Sequence, residues 1–290
     1  MKLLLKFNLV FLVVFAAGLV LAATIARSLL REDAQHEVIE RARLLMESAV
    51  VASSYTASQV APLLHEQMRS SFLPQSVPQY AATETLAALR GQYPDYFYKA
   101  AVLNPTNPRD RAADWEADVI AQFSKNPKQP ELIGVRDTPT GPSLYIARAI
   151  VLKNPACLAC HSTPAAAPAT LVARYGPNNG FGWTLDEPLG AHIVSVPMTV
   201  PLQRADRALG VVVGLLAAVF VLIGGALNLM LWRLVLRPVS RLSAIADRVS
   251  LGELDAPEFG VRSRDEIGVL AESITRMRTS LVHAMKLLGA

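Results

Sequence analysis

Two apolar stretches, FNLVFLVVFAAGLVLAATIA at residues 7–26 and LGVVVGLLAAVFVLIGGALNLMLW at residues 209–232, decide how this 290-residue chain is laid out. At a rise of 1.5 Å per residue, about 20 apolar residues cross a hydrocarbon core of about 30 Å. Both stretches are therefore predicted to be transmembrane helices. Lys2 and Lys6 precede the first, and Arg233, Arg237 and Arg241 follow the second. Basic flanks stay on the cytoplasmic side, and the two blocks agree: residues 27–208 lie outside and the tail from 233 lies inside. A removable signal peptide is the alternative for the first block, with Leu21-Ala22-Ala23 as its cleavage site. The apolar run exceeds the roughly 7–15-residue core of such peptides, so an uncleaved anchor is expected. The expected organisation is a cytoplasmic N-terminus (1–6), a first span (7–26), an outer domain (27–208), a second span (209–232) and a cytoplasmic tail (233–290). This describes a two-pass protein of a bacterial inner membrane, with the outer domain in the periplasm.

The composition agrees. Hydrophobic residues make up 52% and charged residues only 18%, an excess concentrated in the two spans. A net charge of +4 invites a nucleic-acid reading, but no dense Lys/Arg run supports it, and the charge is topological. In the outer region, residues 27 to about 70 read as a helix continuing out of the membrane. From Pro74 to Pro201 frequent Pro and Gly, clustered aromatics and short apolar runs predict a small α+β domain. Strands are expected at Tyr98–Leu103, Leu144–Leu152 and His192–Met198, where His192, Val194, Val196 and Met198 alternate onto one face. Helices are expected at Ala81–Arg90 and Ala112–Ser124. In the tail, Val239, Leu242, Ala246 and Val249 recur at heptad spacing, as do Ile267, Leu270, Ile274, Met277 and Leu281. Gly252, Pro257 and Gly260 separate the two runs. Two short amphipathic helices are expected to bury such seams by pairing across a parallel homodimer as a four-helix bundle, with surface helices lying on lipid as the alternative.

Cys157-Leu158-Ala159-Cys160-His161 is the strongest chemical signal, and the chain's two cysteines both lie in it. C-x-x-C-H is the attachment pattern for haem c: two thiols add to the vinyl groups, and the adjacent His supplies an axial nitrogen to iron. A thioredoxin-like dithiol would need a βαβ setting that Lys153-Asn154-Pro155-Ala156 does not suggest. A structural zinc site would need a second ligand pair. A local disulfide leaves His161 without a reason. One covalent haem, with His161 as axial ligand, is expected, and both spans place it outside the cytoplasm.

The opposite axial position is open among His65, Met68, His192 and Met198, or it carries no protein ligand. His36 and Met46 lie too near the membrane. Arg109, Arg111 and Arg148 are candidate partners for haem propionates, because an Arg fork matches a carboxylate. Tyr93, Tyr96, Phe97 and Tyr98 offer flat surface for a porphyrin. No Ser-His-Asp set, phosphate loop or carboxylate pair emerges, and an enzyme is not expected.

With these residues in view, the outer region resembles a family of single-haem periplasmic sensor domains with a PAS-like fold, long known only as a domain of unknown function. The resemblance covers roughly residues 50–200. It rests on Asn104-Pro105-Thr106-Asn107-Pro108-Arg109, Trp115, the segment Ala156–His161, Tyr175-Gly176, Gly180-Phe181-Gly182-Trp183, and Gly190 leading to Val196-Pro197-Met198. Some members use a distant Cys as second axial ligand, and this chain has no third Cys to fill that role. The tail, about residues 233–286, resembles a HAMP relay domain through Pro238 and Asp265-Glu266-Ile267-Gly268. Most receptors carry a kinase, cyclase or methyl-accepting domain beyond the relay, and here the chain stops. The resemblance implies a redox or gas sensor whose haem state shifts a dimeric relay and passes output to a separate cytoplasmic partner. The rival readings are a membrane-tethered monohaem cytochrome for electron transfer and, more remotely, a haem peroxidase using His65 or His192.

Overall fold

In the computed structural model, which describes residues 2–253 and 265–288, α1 (Lys2–Tyr55) begins just before the first apolar block and runs through it. Beyond it Val38, Ala42, Met46 and Ala49 repeat at spacings of three and four, and their stripe is buried. The expected helix to residue 70 ends earlier. A π-helical segment, Thr56–Val60, is followed by the single turns α2 (Ala61–Leu63) and α3 (Gln67–Ser70). Pro62, which lacks an N–H, marks the break.

The next elements are α4 (Pro78–Leu89), β1 (Phe97–Val102), α5 (Asp114–Lys125), β2 (Leu132–Thr138) and β3 (Gly141–Val151). The single turn α6 (Leu158–His161), α7 (Ala169–Tyr175) and β4 (Pro188–Pro197) follow. All pairings in the four-stranded sheet are antiparallel, in the order β1-β4-β3-β2. Three strands and two helices fall where the apolar patterns predicted. Residues 132–138 were not anticipated as a strand. Ile133 and Val135 pair with Ile146 and Leu144 on the sheet face that α1 covers, yet at this edge they stay exposed, while Leu132, Gly134 and Arg136 on the other face are half-buried. A Cβ at Gly134 would lie 2.5 Å from the Tyr145 ring, so a larger residue there has to displace that side chain.

Both sheet faces are covered. Leu144, Ile146, Val194, Val196 and Met198 pack against the α1 stripe and against Ala82 and Leu86 of α4. On the other face Ala101, Ala147, Ala191 and Ile193 meet Val119, Ile120 and Phe123 of α5. Lys99 reaches the buried Glu116 at 2.6 Å, and Glu116 also accepts from the Ala113 N–H at the start of α5.

The chain divides into two units, residues 26–209 and residues 1–25 with 210–290. From residue 210 on, α8 (Thr199–Met230) carries most of the other apolar block, a π-helical segment runs Leu231–Leu236, and α9 (Arg237–Ser250) and α10 (Glu266–Leu288) form the tail. Two helices are long and apolar enough to cross a membrane. Phe15 packs against Phe220 with ring centres 3.8 Å apart and planes tilted by 57°, and Asn228 donates to Asn8 at 2.7 Å. Such polar contacts and close packing join helices where lipid offers no hydrophobic driving force. α9 and α10 touch, with Leu242, Val249 and Ala271 buried and Val239, Leu270, Met277 and Leu281 exposed. The connector residues Pro257 and Gly260 lie outside the described residues.

Candidate functional site

Asn154-Pro155 starts the local structure at the cysteines. The Asn154 side chain accepts from the Ala156 N–H at 2.9 Å, and its carbonyl accepts from the Cys157 N–H at 3.1 Å. One helical turn then carries Cys157, Cys160 and His161. No disulfide joins the two cysteines. Burial pushes both thiols above their ordinary pKa, the opposite of the lowered value on which a redox dithiol depends.

Cys157 and His161 line a cavity of about 500 Å³ at the end of the sheet face that α4 covers, a size ordinary for a ligand pocket. Its walls are largely aliphatic, with Val77, Ala100, Val102, Ile150, Leu152 and Leu189 among them. The aromatic surface comes from Phe72, Tyr80, Tyr175 and Trp183. The cluster Tyr93, Tyr96, Phe97 and Tyr98, expected to provide it, does not line the cavity. Apolar spacing cannot distinguish an aromatic on the cavity wall from one elsewhere in the domain, whereas Tyr175 and Trp183 sit within motifs that sequence did single out.

His161 is held from several sides. Its Nδ1 lies 2.8 Å from the Gly180 carbonyl and 3.4 Å from Thr106 Oγ1. Its ring stacks on Trp183 at 3.8 Å and 8°. Burial lowers its pKa, with the Gly180 hydrogen bond opposing. A neutral ring donating from Nδ1 leaves the Nε2 lone pair free for a metal. Asn104 supports this arrangement: it donates to Phe181 O at 3.1 Å, accepts from Gly180 N–H at 3.2 Å, and its carbonyl accepts from Trp183 Nε1 at 3.1 Å. Gly180 has φ +81°, and a Cβ there would stand 2.7 Å from Thr106 Cα. The Asn104–Arg109 and Gly180–Trp183 motifs thus converge beneath one imidazole.

The other candidates lie elsewhere. His65 sits in the turn between α2 and α3, is exposed, and faces Glu66 at 3.7 Å. The Met68 sulfur accepts from Leu73 N–H at 3.1 Å and Ser76 Oγ at 3.3 Å. Met198 is buried in the core against α1. His192 has Nδ1 2.9 Å from the Tyr98 hydroxyl and Nε2 3.5 Å from Gln79 Nε2. Among the described residues none of these four lines the cavity, whereas Gln79 does. Arg109 pairs with Glu84 and lies over the Tyr80 ring, which itself borders the cavity. Arg111 donates to Asn179 at 2.9 Å, and Arg148 pairs with Glu47 and Glu131. Gln79 and Asp110 are polar residues at the cavity that no sequence motif singled out, because nothing local separates them from ordinary helix and loop residues.

Residues 31–197 match the Tll0287-like family (Tll0287), and residues 230–283 match the HAMP domain. These matches bear out both resemblances and extend the first toward the N-terminus. Among solved structures, the crystal structure of the cyanobacterial heme-protein Tll0287 aligns at 16% identity and a TM-score of 0.37, covering 56% of this chain and 94% of that one. No curated protein matches the chain.

Proposed function

The chain belongs to the Tll0287-like family, and on that premise we propose that it is a membrane-anchored haem sensor that relays its state through a HAMP domain. The observation that carries this reading is His161. It stands one residue past Cys157-x-x-Cys160, its Nδ1 tied to the Gly180 carbonyl and its Nε2 left for iron, on the wall of a largely apolar cavity that Cys157 shares. The donor set and the cradle around it fit a single haem c. Cys157 and Cys160 would hold it by two thioethers and His161 would ligate it. When bound, haem supplies an iron that changes oxidation state or takes up a small ligand. The aliphatic side chains would give it a largely apolar wall, and Asn104 and Gly180 keep the His161 ring from turning.

The layout goes with this function. We read residues 7–26 and 209–232 as the spans, 27–208 as a periplasmic domain of PAS-like type, and 233–290 as a cytoplasmic relay that pairs as a homodimer and acts on a separate protein. A relay match over residues 230–283 favours a sensor over an electron carrier, which needs no dimeric output. Signalling requires that the haem state favour one arrangement of the relay over another.

The test is covalent haem in membranes of cells competent for c-type maturation, seen as haem peroxidase staining after denaturing electrophoresis. The wild-type chain is expected to stain, and Cys157→Ala with Cys160→Ala is expected to abolish the stain. A wild-type chain that never stains would sink the proposal.

A further inference from the structure

On the sheet face that α5 covers, the register sets Phe97, Ser195, Tyr145 and Gly134 in one row across the strands, and Pro197, Ser143 and Arg136 in the next. α5 packs beyond these rows, on Ala101, Ala147, Ala191 and Ile193. Ser143 and Ser195 are too small to fill the space between Phe97 and the first turn of α5. A second pocket, of about 320 Å³, is left there, bordered by Arg90, Phe97, Trp115 and Arg136. It lies on the opposite sheet face from the cavity of Cys157 and His161. We propose that this pocket binds a small organic monocarboxylate, gripped by the Arg90 and Arg136 guanidiniums. The inference goes beyond the haem reading and does not depend on it.

Most polar groups around the pocket are already engaged. Glu116 is held by Lys99 at 2.6 Å and by the Ala113 N–H at 2.8 Å. Thr138 Oγ1 donates to the Gly141 carbonyl at 2.7 Å and lies 3.1 Å from Thr140 Oγ1, and Ser143 Oγ donates to the Val196 carbonyl at 3.2 Å. The Ser195 hydroxyl is closed off beneath the floor and takes no part. The two arginines are different. Arg136 lies over the Trp115 ring at 4.2 Å and Arg90 over the Phe97 ring at 5.5 Å, and neither has an ion pair or hydrogen bond among the described residues. A guanidinium resting its flat face on a ring keeps the N–H groups at its edge available. That edge matches the two oxygens of a carboxylate. The rings also hold these long side chains in place, which lowers the entropy lost when a ligand arrives.

Charge and size select the ligand. With Glu116 balanced by Lys99, the two arginines stand against Asp95, the other carboxylate at the pocket. One positive charge is left over, which a monoanion neutralises. The volume is at the low end for ligand pockets, so the organic body is small, and Phe97 and Trp115 suit an apolar one. The place of the pocket in the chain gives such a ligand a consequence. Pro197 borders it, the Met198 N–H donates to the Pro142 carbonyl at 2.9 Å, and α8 begins at Thr199. A bound carboxylate therefore touches the strand end that continues into α8.

The experiment is isothermal titration calorimetry of the full-length chain in a non-ionic detergent, with benzoate as the probe and benzamide and sulfate as controls. The wild type is expected to bind benzoate, and to bind neither control at the same concentrations. Arg136→Gln and Arg90→Gln should each weaken benzoate binding about tenfold, the order of one charge-assisted hydrogen bond, with thermal unfolding unchanged. Absence of benzoate binding overturns the inference. So does equal affinity for benzamide, which would mean that charge is not read, or for sulfate, which would mean that charge alone is read. Two variants that bind benzoate as the wild type does overturn it as well. None of these outcomes bears on covalent haem, which the stain reads separately.

Discussion

At the scale of residues, the site depends on how two imidazoles are held. His161 gives its Nδ1 proton to Gly180, and the Gly180 carbonyl is presented by a left-handed backbone that an L side chain adopts at a cost of about 1–3 kcal/mol. Gly180→Ala adds a clash with Thr106 to that strain. It should lower thermal stability and shift the haem spectrum as His161 loses its tether. A variant that matches the wild type in both would show that the carbonyl does not hold the ring. His192 makes a pH prediction. Burial, helped by the positive charge of Arg148, pulls its pKa down to about 4 from 6.5. The unfolded chain then binds the proton more readily than the folded one, so stability is full above about pH 6.5 and declines as pH falls toward 4. The loss is at most about 3 kcal/mol. Thermal unfolding at pH 7 and pH 5 should show it, and His192→Gln should flatten the dependence between those two pH values.

Among the elements, α1 packs on the sheet of residues 26–209 through one stripe. Met46 is almost wholly buried against the sheet, while Leu44 is exposed. Met46→Ala should cost about 2–5 kcal/mol and Leu44→Ala no more than about 0.5 kcal/mol, compared by urea unfolding of the detergent-solubilised chain. Similar losses for both would mean that the stripe does not anchor α1. This stripe was legible in sequence because helical period and burial coincide. β2 was not, because the run is short and interrupted by Gly134, and only its place at the sheet edge leaves Ile133 and Val135 exposed on the face where their partners Ile146 and Leu144 are buried. The break that removes His65 from the long helix was only half legible. Pro62 signals a disruption, but where the chain resumes depends on what α3 packs against.

For the whole molecule, the relay is the part a single chain leaves incomplete. Leu242, Val249 and Ala271 are buried within one chain, whereas Leu270, Met277 and Leu281 on α10 remain exposed. A second copy is the natural cover for such a row. Met277→Cys should therefore form a disulfide-linked dimer on mild oxidation in native membranes, and the yield should change when the haem is reduced. Monomer alone under both conditions would argue against the dimeric relay.

Length, charge and short motifs determined by themselves where the apolar spans lie, that a haem c attachment pattern sits between them, and that a heptad tail follows. These are local properties of the chain: a run of apolar residues, a basic flank, two thiols and an imidazole within five positions. Tertiary structure alone decided what surrounds the imidazole. Asn104 and Gly180, 76 positions apart, meet beneath His161, and Tyr98 and His192, 94 positions apart, meet beside Gln79. The physical reason is that a side chain's chemical partner is set by sheet register and helix packing, which bring together residues with no trace of one another in the order of the chain.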